Sequence, residues 1–434
     1  MMLGAHHQGA RTALEPGDVK AGLKVLVVTP IYPSPDNPQA AIFLRQQVEW
    51  LQSLGARCRV LSYRPAPPPF PRWLRRRSWL RYYTRRLTWQ EDVGGIPTRQ
   101  IFYDRRWEPG EDVVPAAARA LCRFVDADPL FGDADVIYAN WLWTGGAVAL
   151  RLGSHLARPV VAIARGGDMH VWHTAHPSCR PYVQQVLEQA DTVLTNCRYL
   201  RDEAYRIFPG SSERVLVAYH GCDTQFFCPP RNLEDRARLR SRLGLPAEAP
   251  LFMYCGTIER RKGISEIASA WPGFSRRHRD WRLVVVGRTV EPPMEQELQH
   301  ASEGNIIFAG QVSSEGVRDY LRCADAFLQP SHLEGLASTT MEAMAVGLPV
   351  ITTSACGQAE LVEGGVNGWS IPAGDATALE AAMTDLAGNI TRAQAMGAAA
   401  RESIVSQFDA LTCTRQLLSL FASTAAASRR ALPS

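Results

Sequence analysis

Residues 326–352 read AFLQPSHLEGLASTTMEAMAVGLPVIT. Ala326–Gln329 is a short apolar run closed by Pro330 and reads as a buried strand, and residues 350–352 are a second, β-branched run. The segment between them has helical period and carries Met341, Ala343 and Met344. Outward from this strand, loop, helix and strand, the same alternation recurs: Leu251–Cys255, residues 283–286 and residues 306–308 read as strands with helices between them. In the first half the strands are Lys24–Thr29, residues 58–63, Val136–Asn140, residues 159–164, Thr192–Thr195 and residues 215–218, several preceded by an Asp, as in Ala134-Asp135 and Ala190-Asp191. Such alternation argues for parallel sheets with crossover helices. Residues 224–231, with Phe226, Phe227, Pro229 and Pro230, break both periods and read as a linker. Residues 375–386, 393–405 and 410–421 are helical with no strand after them, so they bury their apolar faces on something already built. The expectation is an α/β chain of two Rossmann-like doubly wound domains, for which 434 residues leave about 200 each.

Hydrophobic content of 46% against 21% charged residues is that of a globular protein. No apolar run approaches the roughly 18 residues of a membrane span, and residues 1–22 lack the charged-then-apolar order of a signal peptide. The expectation is a cytoplasmic protein with a disordered tail over residues 1–22. The ten cysteines form no CxxC pair, which suggests neither a disulfide framework nor a zinc site. A net charge of +4 is too mild to argue for nucleic acid. Lys20, Lys24 and Lys262 are the only lysines, so Lys262 stands where composition rarely puts one.

Within the opening stretch, Glu334 lies in the loop leaving a strand and Glu342 eight positions on, in the first turn of the next helix. A diol needs paired acceptors, which a carboxylate provides, and backbone amides at a helix start can face a diphosphate. Taken alone, Glu342 fits a capping box with Thr339 equally well. A second loop, Gly256-Thr257-Ile258-Glu259-Arg260-Arg261-Lys262-Gly263, follows a strand and opens a helix whose buried face is Ile264, Ile267, Ala268 and Trp271. Three cations at a helix N-terminus oppose the macrodipole, and a bound phosphate would offset that cost. A solvated surface run is the competing reading.

At these residues the chain resembles the retaining glycosyltransferases of family four, the glycosyl transferases group 1, which have the GT-B fold of two Rossmann-like domains facing a central cleft. The resemblance rests on Glu334 and Glu342, on Ala343-Met344-Ala345-Val346-Gly347-Leu348-Pro349-Val350-Ile351 and Gly357-Gln358-Ala359-Glu360, on His220-Gly221-Cys222-Asp223 with Phe227, on Ala324-Asp325 and on Arg261-Lys262-Gly263. It implies an acceptor-binding domain over residues 23–225, a nucleotide-sugar-binding domain over 226–408, and a final helix over 409–434 that crosses back to the first domain. It implies a hexosyl transfer from a nucleotide-diphosphate sugar to an acceptor hydroxyl, in polysaccharide or glycolipid assembly, with small-molecule glycosylation or a non-catalytic nucleotide-sugar-binding module as alternatives. Lys262 and Arg261 would hold the diphosphate beside Gly256 and Thr257, Glu342 the ribose, Glu334 with the amides of Gly335 and Leu336 the sugar, and Gln311 and Val312 the base. No cofactor and no metal is called for.

Two departures from the family stand out. Gly256-Thr257-Ile258 replaces a Gly-Arg-Leu, moving the second phosphate contact to Arg260 or Arg261. Ala164-Arg165-Gly166-Gly167-Asp168 stands where a His-Gly pair is common, which brings Arg165 into the catalytic set, toward donor or acceptor, and Asp168 with Trp141 onto the acceptor side.

Residues 72–89, RWLRRRSWLRYYTRRLTW, form as a helix one face of Trp73, Leu80, Tyr83 and Leu87 and another of Arg77, Arg81 and Arg85. That pattern suits anionic lipid headgroups and a lipid-linked acceptor at the inner face of the cell membrane; an amphipathic helix packed on its own domain fits equally. His170, His173 and His176 lack zinc-site spacing and read as a loop lining the cleft. Asp126-Ala127-Asp128 and Asp133-Ala134-Asp135 resemble a metal-binding pair without its context. Lys262 as a Schiff-base lysine, and a nicotinamide enzyme, for which no G-x-G-x-x-G follows any strand, are the disfavoured alternatives.

Overall fold

The computed structural model describes residues 22–34, 37, 40–66, 90–93, 95–103, 113–167, 169, 177–210 and 214–431. The basic stretch 72–89, residues 1–21, Asp168 and the three histidines at 170, 173 and 176 lie outside them. Two compact units are present. The first runs to Leu194 and takes in Gly210–Ala218 and the chain from Thr414 onward; the second holds Thr195–Pro209 and Tyr219–Cys413.

The first unit is built on β1 (Lys24–Thr29), β2 (Arg57–Pro65), β3 (Gln90–Val93), β4 (Ile96–Tyr103), β5 (Val136–Asn140), β6 (Val160–Ala164), β7 (Thr192–Thr195) and β8 (Val215–Val217). Their order is β3-β4-β2-β1-β5-β6-β7-β8. The pairs β2/β4, β1/β2, β1/β5 and β5/β6 are parallel, and β3 runs antiparallel to β4 at the edge. Strand order therefore departs in both directions from β1, the doubly wound pattern. β1 and β6 are buried almost throughout, as strands covered on both faces by helices must be. The Asp residues that precede several strands serve a common purpose: Asp135 accepts the amide of Lys24 (2.9 Å) and Asp191 that of Val160 (2.8 Å), so each ties its own strand to the start of a neighbour. Helices α1 (Ile42–Ser53), α2 (Val113–Ala127), α3 (Pro129–Gly132), α4 (Ala147–Leu156) and α5 (Arg180–Gln189) follow this sheet, and α6 (Arg198–Ile207) groups with the second unit.

The second unit holds β9 (Leu251–Cys255), β10 (Arg282–Val286), β11 (Ile306–Gly310), β12 (Ala326–Gln329), β13 (Val350–Thr353) and β14 (Trp369–Ile371) in the order β11-β10-β9-β12-β13-β14, all paired parallel. Between them run α7 (Leu233–Arg242), α8 (Ile264–Arg277), α9 (Pro292–Ala301), α10 (Ser314–Cys323) and α11 (Ser338–Val346), followed by α12 (Ala376–Gly388), α13 (Ile390–Gln407) and α14 (Ala410–Ala431). The core packs Trp271 and Phe274 of α8 against Phe252 and Trp281, with the Phe252 and Trp281 rings 4.5 Å apart. Trp271 is wholly buried, and its indole N–H donates to Asn305 (2.6 Å), which satisfies the one polar atom it takes inside. Strand order reverses between β9 and β12. In an open sheet of this kind the helices on either side of the reversal lie on opposite faces, which leaves a crevice at the carboxyl ends of the two strands. The fold is the expected pair of doubly wound α/β sheets. Among the described residues no helix is long and apolar enough to cross a membrane.

The last helix, α14, closes the first unit: Leu417, Leu418, Phe421 and Ala425 join a core with Val27, Tyr138 and Ile163, and the Phe421 and Tyr138 rings stand 4.9 Å apart. Phe421→Ala should therefore lower the stability of the first unit by about 3–5 kcal/mol, read as an earlier denaturant-unfolding transition, although residue 421 is far from that sheet in sequence.

Candidate active site

The loops that leave β9 and β12 are laced together. Gly263 closes the turn Arg260–Lys262 at φ 77°, a conformation that favours glycine, and a Cβ there would stand 2.0 Å from the Pro330 carbonyl oxygen. The amide of His332 donates to the Arg261 carbonyl (2.9 Å). Beneath the first loop the buried Tyr254 hydroxyl donates to the Thr257 carbonyl (2.7 Å), and the Gly256 amide to Val286 of β10 (3.0 Å). Beneath the second, the hydroxyls of Thr352 and Thr353 donate to the carbonyls of Gln329 and Ser331 (3.0 and 2.7 Å). Both loops are thus pinned to the sheet by buried hydrogen bonds.

This lacing brings Lys262 onto Glu334: the ammonium donates to Oε1, with both side chains about 15% exposed, at 15% and 14%. Arg261 is exposed and pairs with Glu259 (2.8 Å), and Arg260 reaches Glu297 at 3.9 Å. The penalty expected for three cations ahead of α8 is therefore offset from within, by one carboxylate each, so the macrodipole alone does not require a bound anion. Arg260 and Arg261 nonetheless remain largely exposed and open to a further partner.

Glu342 does not form the capping box that its spacing with Thr339 allows. α11 starts at Ser338, two residues earlier than a Thr339 cap would place it, its N-cap Ala337 makes no side-chain bond, and the Thr339 hydroxyl donates instead to Gln329 (3.3 Å). Burial pushes the Glu342 carboxyl up to about 7, and neither a charge nor a hydrogen bond among the described residues pulls it back. The thiol of Cys255, at the end of β9, is raised first by burial, then by Glu342, and is lowered by Lys262, so both charges act on one point. Lys262 and Glu334 thus meet at the ends of β9 and β12, and Glu342 stands on the helix that follows the same β12 loop. Ser338 Oγ lies 3.0 Å from Nε2 of His220.

The turn Cys356–Glu360, after β13, adjoins this cluster. Its Gly357 amide donates to the Glu334 carbonyl (3.2 Å). Gly335 is half-buried, and Leu336 is buried. Gln311 and Val312 follow Gly310 at the end of edge strand β11, three strand positions from β12 or about 14 Å; Gln311 is exposed and Val312 packs on Gly316.

In the first unit, Arg165 leaves β6 and donates to Asn140 (2.7 and 3.1 Å), to Gln47 (3.0 Å) and to the Tyr138 hydroxyl (3.2 Å). Its guanidinium lies 4.9 Å from the Phe43 ring, which meets Trp141 edge-on at 6.2 Å. Trp141 has φ 65°, strained backbone for a bulky residue. Nothing in the sequence announces this network, whose members come from α1, β5 and β6. The paired aspartates are engaged otherwise: Asp126 with His155 (2.7 Å), Asp128 with the amide of Leu130, Asp133 with Lys24 (2.6 Å) and Asp135 with Arg429. Among the described residues no three His, Cys, Asp or Glu side chains gather as a metal site would require.

Two doubly wound units in one chain define the GT-B fold. Sucrose-phosphate synthase from Thermosynechococcus elongatus superposes with a TM-score of 0.72 at 20% identity, over 94% of this chain and all of that one. HepE from Anabaena, solved in complex with UDP and glucose, gives 0.70 at 18% identity over 92% of this chain and all of its own. The profile of the glycosyl transferases group 1 matches residues 235–403, and that of the glycosyl transferase 4-like domain residues 40–221. The chain belongs to the glycosyl transferases group 1 family and is a glycosyltransferase, an enzyme that moves a sugar from a nucleotide sugar. Among curated relatives, a Bacillus subtilis protein that carries the name teichuronic acid biosynthesis glycosyltransferase TuaC is 28% identical over 345 residues, 78% of this chain and 83% of its own. The GDP-mannose-dependent alpha-(1-6)-phosphatidylinositol monomannoside mannosyltransferase of Mycolicibacterium smegmatis is 29% identical over 330 residues, 69% of this chain and 84% of its own.

Glu342 gives the site a pH signature. Its carboxyl is raised from 4.5 to about 7, so between those values the folded chain holds a proton that the unfolded chain releases, and stability falls as pH rises through that window. Glu342→Gln removes the effect: its melting temperature should match the wild type near pH 4, exceed it by a growing margin toward pH 7, and keep that margin above. A pH series of thermal melts checks this.

Proposed function

We propose that the crevice at the ends of β9 and β12 holds the diphosphate and sugar of the donor, and that Lys262, Glu334 and Glu342 are its working groups. The observation that carries this reading is the Lys262–Glu334 ion pair at the ends of β9 and β12, in the same loop-and-helix segment as Glu342, a half-buried carboxyl without a hydrogen-bonding or charged partner among the described residues. A carboxylate accepting two hydroxyls of a ribose gains hydrogen bonds that no group among the described residues gives it. Lys262 holds the diphosphate, with Arg261 as its second cation and Gly256 and Thr257 against the phosphates. Glu334 and the amides of Gly335 and Leu336 face the transferred sugar. Gln311 and Val312 meet the base, a placement supported by their distance along the strand ends. Arg165, Asp168 and Trp141 belong to the acceptor side, in an acceptor domain over residues 23–225; the donor domain covers 226–408 and the closing helix 409–434.

Departure of the nucleoside diphosphate builds negative charge on its phosphate oxygens and leaves an oxocarbenium-like sugar. Fixed cations and amides aimed at that charge are the largest catalytic contribution expected. The acceptor attacks from the same face, its proton passing to the leaving phosphate oxygen, which retains the anomeric configuration; Lys262 supplies the positive charge without a metal. The transferred sugar is a hexose, and the product belongs to polysaccharide or glycolipid assembly. The names of the Bacillus and Mycolicibacterium relatives, which concern teichuronic acid and a phosphatidylinositol mannoside, support that reading. Cytoplasmic placement at the inner membrane face, through residues 72–89, is part of it.

Thermal shift against uridine, guanosine and adenosine diphosphates and their sugars should show one base stabilising the chain selectively. Lys262→Ala should cut turnover about 10²–10³-fold while the melting temperature stays near that of the wild type. Glu342→Gln should weaken nucleoside-diphosphate binding about tenfold or more, measured by calorimetry. Turnover that persists in excess chelator agrees with the metal-free scheme, and loss restored by magnesium overturns it.

A further inference from the structure

The motif Gly357-Gln358-Ala359-Glu360 is left without a task by the donor reading, yet it abuts the loop that faces the sugar. A Cβ on Gly357 would stand 1.9 Å from the Gly335 carbonyl oxygen and 3.1 Å from Cys197 Sγ, so the turn leaves no room between itself and the Gly335 backbone. With the Gly357 amide on the Glu334 carbonyl, the position of Glu334 and Gly335 follows that of the turn. Glu360, at the end of the turn, uses both of its oxygens. Oε1 accepts the amide of Tyr199 in the first turn of α6 (2.9 Å), and Oε2 accepts the hydroxyl of Tyr219 (2.9 Å). α6 has no acidic residue in its first turn and no side-chain cap from Cys197, so Glu360 supplies the negative charge that a helix N-terminus favours. Tyr219 precedes His220, whose ring meets Ser338 at the start of the helix that carries Glu342. One carboxylate thus anchors the support of the Glu334 loop and joins it to the segment that touches the Glu342 helix.

We propose that Glu360 is a positioning residue that aims the Glu334–Leu336 loop at the transferred sugar, acting through Gly357 and held by Tyr199 and Tyr219. The proposal rests on the donor reading above. A reacting group displaced by about 1 Å costs on the order of 10²-fold in rate, so loss of this anchor acts on the sugar-transfer step more than on nucleotide binding.

The test is Glu360→Gln, which keeps the shape and removes the charge, together with Tyr219→Phe and the double variant. Donor hydrolysis or transfer is followed for kcat and donor KM, alongside calorimetric Kd for the nucleoside diphosphate without sugar and the melting temperature. Glu360→Gln should lower kcat about 10- to 100-fold and raise the donor KM, with Kd for the bare nucleoside diphosphate within about twofold of wild type. Tyr219→Phe should shift the same quantities part of the way and add little in the Glu360→Gln background. Unchanged kcat and KM in Glu360→Gln overturn the proposal. So does an equal loss of nucleotide and nucleotide-sugar affinity with a lowered melting temperature, the mark of a merely structural role. A wild-type chain that binds no nucleoside diphosphate overturns the donor reading with it, whereas normal wild-type binding beside an indifferent Glu360→Gln overturns the proposal alone.

Discussion

The contact of the Gly263 α-carbon with the Pro330 carbonyl sets the terms for the second unit. Two parallel strands, β9 and β12, are adjacent, and the loops that leave them can approach only as closely as their backbones permit. With no Cβ at Gly263, and none at Gly357 against the Gly335 carbonyl, three strand-exit segments pack main chain to main chain. Side chains on those segments then have little freedom, which is how Lys262 and Glu334, 72 positions apart, come to face each other. An alanine at either glycine would need the backbone to move, and the ion pair with it.

The charge balance of the site follows from that packing. Lys262, Arg261 and Arg260 each find a carboxylate within the same unit, so the loop is electrostatically settled with nothing bound. Glu342 is the exception: half-buried and without a charged partner among the described residues, it has its carboxyl pushed up to about 7 by burial alone.

Much of this was legible in the sequence because it is local. Buried parallel strands are short β-branched runs, and the six called in the first half and five in the second all fall on observed strands, with the loops after β9 and β12 in place between them. The exceptions have physical reasons. β3 and β4 lie at a sheet edge, where QEDV and IPTRQIFY need not be apolar throughout, and β14 is only three residues long. The irregular turn Leu142–Gly146 depends on the Asn140 carbonyl, 1.8 Å from where a Gly145 Cβ would be, which no periodicity encodes. In the site, Lys262, Glu334 and Glu342 were visible as rare or spaced residues. The partners of Glu360, 161 and 141 positions away, and the Gln47, Tyr138, Asn140 and Arg165 network were not, because tertiary packing alone brings them together.

The closing of the first sheet by α14 bears on how the chain is made. A sheet that begins with Lys24 has part of its apolar face covered by Leu417, Leu418 and Phe421, residues the ribosome adds only after the whole second unit has been synthesised. Domains as a rule fold as they emerge, the N-terminal one first. Here the second sheet can reach its native packing while the first still waits for its last layer, so the early half of the nascent polypeptide is the part left with exposed hydrophobic surface, and the part with most need of a chaperone.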